Sequence, residues 1–299
     1  MQVKKTWKRV DGVLLLDKPI GLSSNDALQK ARRLFSAAKG GHTGTLDPLA
    51  TGLLPLCFGE ATKFSADLLD ADKAYEAVLK LGVTTDSGDA EGAITATAAV
   101  NVSAEDVLKA LPRFTGNIQQ IPPMHSALKR DGRPLYELAR QGIEVEREPR
   151  AVTIHALEVL AFAGDSLTLR VACSKGTYIR VLAADLGAVL GCGAHLAALR
   201  RTVVGDLSLQ GSVTLAELAA LDESERLAYL QPVDALLHTL PVLSVEGEAA
   251  MRFRHGNPID LPPGLGGKIR VYEGSRLIGI GEPGQSGRLW PKRLVQLAD

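Results

Sequence analysis

The 299 residues are 45% hydrophobic and 23% charged, with 34 basic side chains balancing 34 acidic ones. This excludes a disordered or fibrous chain, suits one large globular domain plus a smaller one or two moderate ones, and argues against a uniformly basic binder of polyanions. No apolar run reaches bilayer-spanning length, and the first short one ends at Asp17, Lys18 and Pro19, so a cytoplasmic protein without membrane contact is expected.

The neutral sum conceals a distribution. Residues 1–63 carry 10 basic and 5 acidic side chains and residues 170–201 carry 5 and 1, whereas 64–122 hold 4 basic against 9 acidic and 202–240 hold 1 against 6. If the basic segments converge in the fold, they make one basic face opposite acidic ones. The three cysteines, Cys57, Cys173 and Cys192, are too few and wrongly spaced for a disulfide framework or a four-thiolate zinc site. They read as buried thiols of a reducing cytosol.

In chain order, VDGVLLL from Val10 to Leu16 predicts a buried strand that gives way to a loop at Pro19. Ser23 or Ser24 caps a helix whose body, NDALQKARRLF, places Ala27, Ala31, Leu34 and Phe35 at helical intervals. GGHTGTLDPLATG, residues 40–52, is too rich in glycine and threonine for an ordinary helix and reads as a shaped loop. KAYEAVLKL, residues 73–81, alternates as a strand with Tyr75 on its apolar side. TTDSGDAEG is a turn-rich acidic loop, and SAEDVLKALPRF is a short helix with a serine cap.

The stretch from Gln119 to Gly142, with its prolines and glycines, predicts a long surface excursion carrying one short helix. Strands are expected at AVTIHALEVLAF and SLTLRVACS, followed by a turn and a helix in SKGTYIRVLAADLGAVLG that ends at glycine. Two prolines in QPVDALLHTLPVLSV mark a boundary near residue 240. Beyond it, KIRVYEGSRLIGIGEP reads as two strands joined at Glu273-Gly274. The fold class is therefore α+β.

Two motifs carry less than they first suggest. Gly279, Gly281 and Gly284 spell GxGxxG, but Pro283 sits inside the pattern and only 15 residues follow, so no strand-helix-strand unit can form and hairpin glycines are the better account. Asp86, Asp89 and Glu91 offer oxygen ligands to a hard cation, yet their spacing matches no calcium loop and a solvated turn is expected.

The 40–52 loop holds one carboxylate, Asp47, with no basic residue within four positions. A cation that stabilises it must come from elsewhere in the chain. Gly40, Gly41, Gly44 and Gly52 let backbone pass close to a ligand, and Pro48 fixes the turn after the acid. On the residues alone, an Asp-Pro turn and an active-site acid are equally good accounts.

GGHTGTLDPLATGLLPLCFGEATK resembles the signature of the TruB family of pseudouridine synthases, which act on uridine 55 in the T-arm of transfer RNA. DGVLLLDKPIGLSSND, IPPMHSALKRDGRPLYELARQGIEV, CSKGTYIRVLAADLG and HLAALRRTVVG resemble further family segments in the family's order. His125 departs from the tyrosine expected there, which bears on one local contact. The tail resembles a reduced PUA domain, a small β-rich RNA-binding module.

The resemblance implies a mainly antiparallel mixed-sheet catalytic domain over 1–240, with helices, an RNA-binding insertion at about 121–152, and a PUA-like domain over 241–299. It implies that Asp47 is the catalytic carboxylate, Tyr75 the aromatic stacked on the target base, and Arg180 the partner that keeps a buried Asp47 ionised and aimed. His42 would insert near the displaced base, Tyr178 and Leu199 would line the uracil pocket, and Lys18 is a further substrate-binding candidate. Lys129, Arg130 and Arg133, with the two basic segments, are candidates for phosphate contacts.

The implied reaction is an isomerisation, with no cofactor or metal. Attack on ribose carbon 1′, attack on the uracil ring and removal of the 2′ proton all stay open to Asp47. The partner is tRNA, with no obligatory protein partner and a monomer as the default. A noncatalytic RNA-binding or RNA-folding protein on the same scaffold is the rival, against which intact Asp47, Tyr75 and Arg180 argue.

Overall fold

The first apolar run builds the centre of the molecule. In a computed structural model that describes residues 6–126, 128–130, 132–285 and 287–296, Gly12–Lys18 is a strand two residues longer at its end than the apolar run suggests. Its side chains alternate between two cores. Leu14 and Leu16 pack with the Ser24–Leu34 helix, while Val13 and Leu15 pack on the opposite face with Leu53, Phe64 and Leu236. Burial on both faces explains why the run is continuously apolar rather than alternating.

This strand lies near one end of an eleven-stranded sheet whose main path runs through Gly12–Lys18, Ala50–Phe58, Ala194–Val204, Lys73–Leu81, Ser166–Cys173, Arg150–Ala163 and Gly116–Gln120. All neighbours on that stretch are antiparallel except Ala50–Phe58 and Ala194–Val204, which run parallel. The mixed, mainly antiparallel α+β fold is as expected.

Ser23, not Ser24, caps the first helix by accepting from the Asp26 amide, leaving Ser24 free to bond the backbone of Leu46 in both directions. Ser103 and Asp106 form a reciprocal capping box on the Ala104–Ala110 helix. The excursion after Gln120 holds a two-residue hairpin at Lys129–Arg130 and Arg133–Pro134 and one short helix, Leu135–Arg140.

The tail forms a second, five-stranded sheet from Val242–Ser244 to Arg288–Leu294. Its hairpin turns at Gly274, φ +57°, and the GxGxxG glycines lie in or beside the Arg276–Pro283 strand. Leu277 and Ile280 enter the same core as Val13 and Leu53, and Lys268 pairs with Asp67 at 2.5 Å, so the two sheets share a packed junction. Among the described residues, no helix is long and apolar enough to cross a membrane.

Candidate active site

The 40–52 segment is not one loop. Gly40–His42 and Ala50–Phe58 pair as antiparallel strands, with His42 opposite Leu56, and only residues 43–49 bridge them. Gly40 and Gly41 lie opposite Phe58 and Cys57, and the fit is tight only at Gly40, where a Cβ would fall 3.3 Å from the Phe58 ring. Leu46 anchors the bridge in the core beside the first helix, and Leu49 packs toward the core beneath the Ile179–Val189 helix. Asp47 is thereby presented between two cores.

The missing cation is Arg180, at the start of the Ile179–Val189 helix. Its Nη2 lies 3.1 Å from Asp47 Oδ2 and donates at 2.7 Å to the His125 carbonyl, while its Nη1 lies 3.4 Å from Asp89 Oδ2 and donates to the Ser87 carbonyl. A planar guanidinium suits this fork because it holds donors in fixed directions. The expected burial is reversed. Arg180 is the buried member, 8% exposed at its side chain, and Asp47 is 44% exposed.

Asp89 corrects the reading of the acidic turn. It is buried and held by Ser87 Oγ at 2.5 Å and the Glu91 amide at 3.1 Å. Asp86 and Glu91 remain on the surface, so only the middle acid belongs to the site. No local pattern marks it out, because its partner lies far along the chain. Position 125 touches the site through its backbone carbonyl, and the imidazole of His125 is exposed.

Tyr75 and Leu199 stand on neighbouring strands, where Ala77 faces Leu199 and Tyr75 faces Arg201. Both pack partly against the two cores that flank the 43–49 bridge. Burial raises the pKa of the Tyr75 phenol, which holds its proton. Tyr178 immediately precedes the Arg180 helix. Its backbone is fixed by Gln120, and burial likewise raises its phenol's pKa.

His42 is half-buried, and burial followed by the charge of Arg201 lowers its pKa, favouring a neutral imidazole. Lys18 is fully buried at the end of its strand, donating to the Pro19 and Leu22 carbonyls. Burial brings its pKa down to about 8, against the pull of Asp47. The candidates Asp47, Arg180, Tyr75, Leu199, Tyr178, His42 and Lys18 are thus drawn from six separate strands, loops and helix starts to one region.

The basic segments fare differently. In 170–201, Arg180 and Arg201 are interior, Arg200 grips Asp17 through two bonds, and Arg170 faces Glu158. Arg180 and Arg201 therefore leave the candidate phosphate surface of that segment, while Arg170, Lys175 and Arg200 stay partly exposed beside carboxylates. Lys129, Arg130 and Arg133 are exposed on the excursion. Lys4 and Lys5 of the N-terminal segment lie outside the described residues. The Asp47 carboxylate is reached by solvent on the side that Arg180 leaves uncovered.

The sheet thus presents one half-exposed carboxylate, Asp47, beside the buried Arg180 and the protonated phenol of Tyr75. Residues 32–179 match the family described as TruB family pseudouridylate synthase, N-terminal domain; residues 180–238 match the tRNA pseudouridylate synthase B C-terminal domain, and residues 241–295 match pseudouridine synthase II TruB, C-terminal. The chain is 78% identical over 299 residues to tRNA pseudouridine synthase B of Dechloromonas aromatica (strain RCB), covering 100% of both chains. It is 59% identical over 294 residues to the protein of the same name from Aromatoleum aromaticum, covering 98% and 96%. Among solved structures it is similar to a chain of a Cbf5-Nop10-Gar1 complex, with TM-score 0.72 and 26% identity over 95% of this chain and 84% of that one. The chain belongs to the TruB family of pseudouridylate synthases.

Proposed function

We propose that the chain converts uridine 55 in the T-arm of tRNA to pseudouridine, with Asp47 as its catalytic carboxylate. The observation that carries this reading is the 3.1 Å contact between Arg180 and a half-exposed Asp47, beside Tyr75 and Leu199. An acid that is held from behind and open in front has the geometry for meeting a nucleotide delivered from solvent. The name tRNA pseudouridine synthase B, borne by the relatives, supports the substrate class.

A uridine inside a folded loop is out of reach until it is flipped out, at a cost of a few kcal/mol that stacking and shape offset. Tyr75 supplies the stacking face, while Leu199 and Tyr178 complete the walls around the uracil. His42, neutral, fills space near the displaced base, and the Lys18 ammonium lends positive charge beside Asp47. Lys129, Arg130 and Arg133 take phosphates on the excursion, residues 121–152. The 1–240 part carries catalysis and the PUA-like 241–299 part adds RNA contact.

The chemistry stays within one nucleotide. The bond from C1′ to N1 breaks, one from C1′ to C5 forms, C5 gives up a proton and N1 gains one, so the formula is unchanged. Asp47 serves as nucleophile at C1′ or at the ring, or as base at the 2′ position, and Arg180 aims it in each case. No external electron carrier or group donor enters that balance. The enzyme works on tRNA in the cytoplasm, as a monomer without an obligatory protein partner.

The test is to incubate the protein with unmodified tRNA and no other additive, then map pseudouridine. Product at position 55 supports the reading. RNA binding without product leaves an RNA-binding or RNA-folding protein, and product at another uridine changes the substrate.

A further inference from the structure

Arg201 is the largest fully buried side chain among the described residues, 1% exposed, and it has no carboxylate partner among its described contacts. Its Nε donates to the Leu53 carbonyl at 2.8 Å, and its two terminal nitrogens make longer contacts, 3.5 Å to the Thr45 carbonyl and 3.4 Å to that of Gly44. Gly44 and Thr45 lie at the entry of the bridge that carries Asp47, and Leu53 lies beyond its exit. One guanidinium therefore ties both ends of that bridge together.

The backbone of the same residue sits between the catalytic strands. Arg201 is opposite Gly52 on one side and Tyr75 on the other. Gly52, φ +97°, permits this approach because a Cβ there would fall 2.2 Å from the Arg201 carbonyl oxygen. The Arg201 charge also acts on the Tyr75 phenol, opposing the rise that burial imposes on its pKa.

Removing a charge from water without an opposite charge to meet it is costly, and an apolar side chain fills such a space without that penalty. A cation retained there earns its place by what its donors hold. We propose that Arg201 is a positioning residue for pseudouridine formation: it fixes the Asp47 bridge from behind and registers it against Tyr75, so that carboxylate and stacking ring keep one relative geometry. It touches no substrate. Arg180 orients the carboxylate directly, and Arg201 holds the backbone on which the carboxylate rides.

This rests on the function proposed above, and the experiment separates the two. Wild type, Arg201→Lys and Arg201→Met are compared by thermal melting, by affinity for an unmodified T-arm stem-loop, and by single-turnover pseudouridine formation. If the wild-type protein forms no product, the proposed function fails. With wild-type turnover in hand, both variants are expected to fold and to bind the stem-loop within about threefold of wild type. Their turnover should slow by about 100-fold, the cost of an ångström-scale misplacement of reacting groups. Arg201→Lys keeps the charge and loses the fork, so it should recover little of the rate. Turnover within about threefold of wild type in Arg201→Met, or equal loss of binding and turnover, would overturn the role. Failure of both variants to fold would make Arg201 a structural residue only, and would overturn it equally.

Discussion

Arg180 and Asp47 meet at 3.1 Å with their burial inverted: the guanidinium is 8% exposed and the carboxylate 44%. The cation is held by Asp89, the Ser87 carbonyl and the His125 carbonyl as well as by Asp47, so it stays in place when the acid engages a ligand. The buried Asp89 carboxylate neutralises the buried guanidinium, and half-solvated Asp47 carries its charge where water still reaches it. Arg180→Lys, which replaces a fork by a single ammonium, should reduce single-turnover rate by about 100-fold while leaving stem-loop affinity nearly unchanged. Asp89→Asn keeps the shape and removes one charge, and should cost about tenfold in rate. Rapid-quench product formation beside filter binding measures both.

Lys18 supplies a pH signature. Its ammonium is charged below about 8, where burial has brought its pKa. If that charge serves the site, turnover falls as pH rises through about 8, and the limb is absent from an already slow Lys18→Met variant. The stability effect has the opposite sense. Because the folded pKa lies below the 10.5 of free lysine, the unfolded chain holds the proton more tightly, so this group's contribution to stability becomes more favourable from pH 8 up to 10.5. A pH–rate profile of both proteins, with melting curves at the same pH values, checks both signs.

Gly52→Ala tests the approach of two strands. A Cβ would lie 2.2 Å from the Arg201 carbonyl oxygen on a backbone with φ +97°, and neither atom is the end of a flexible side chain. A loss of stability of at least about 2 kcal/mol is expected from the forced strand shift and the strained backbone. Denaturant melts of the two proteins read it directly.

Electrostatic binding is tested by salt. Stem-loop affinity should fall as salt rises, and Lys129→Ala should reduce the log–log slope by about 0.7–0.9 if that ammonium neutralises one phosphate. Arg130 and Arg133 are parallel cases, although Arg130 also bonds the Glu146 carbonyl and Arg133 the Gln141 side chain, so their substitution also loosens the excursion. An unchanged slope in all three would remove the excursion from phosphate binding.

Much of the framework is legible in short-range pattern. VLLL announced a strand buried on both faces, KAYEAVLKL alternated as one with a single buried side at Ala77, Leu79 and Leu81, and Ser103 with Asp106 marked a capped helix start. The need of Asp47 for a distant cation was also legible, because nothing basic lies near it in the chain. Which cation was not. An arginine in TYIRVL or LRRTVV carries no local sign of whether it faces water or carbonyls, and only the family resemblance singled out Arg180. Charge counting treats every arginine as surface and so makes Arg201 a candidate for RNA. Glycine and acid neighbours suggest solvent around Asp89, whereas the Ser87 hydroxyl and the Glu91 amide shape the turn inward.

The most direct measurement of the central claim compares wild type with Asp47→Asn on unmodified tRNA, following stem-loop affinity and mapped pseudouridine together. The amide keeps the shape of the side chain but is neither base nor nucleophile, so affinity should hold while product formation drops by more than about 1,000-fold. Wild-type turnover in Asp47→Asn would contradict the account and remove Asp47 from the chemistry.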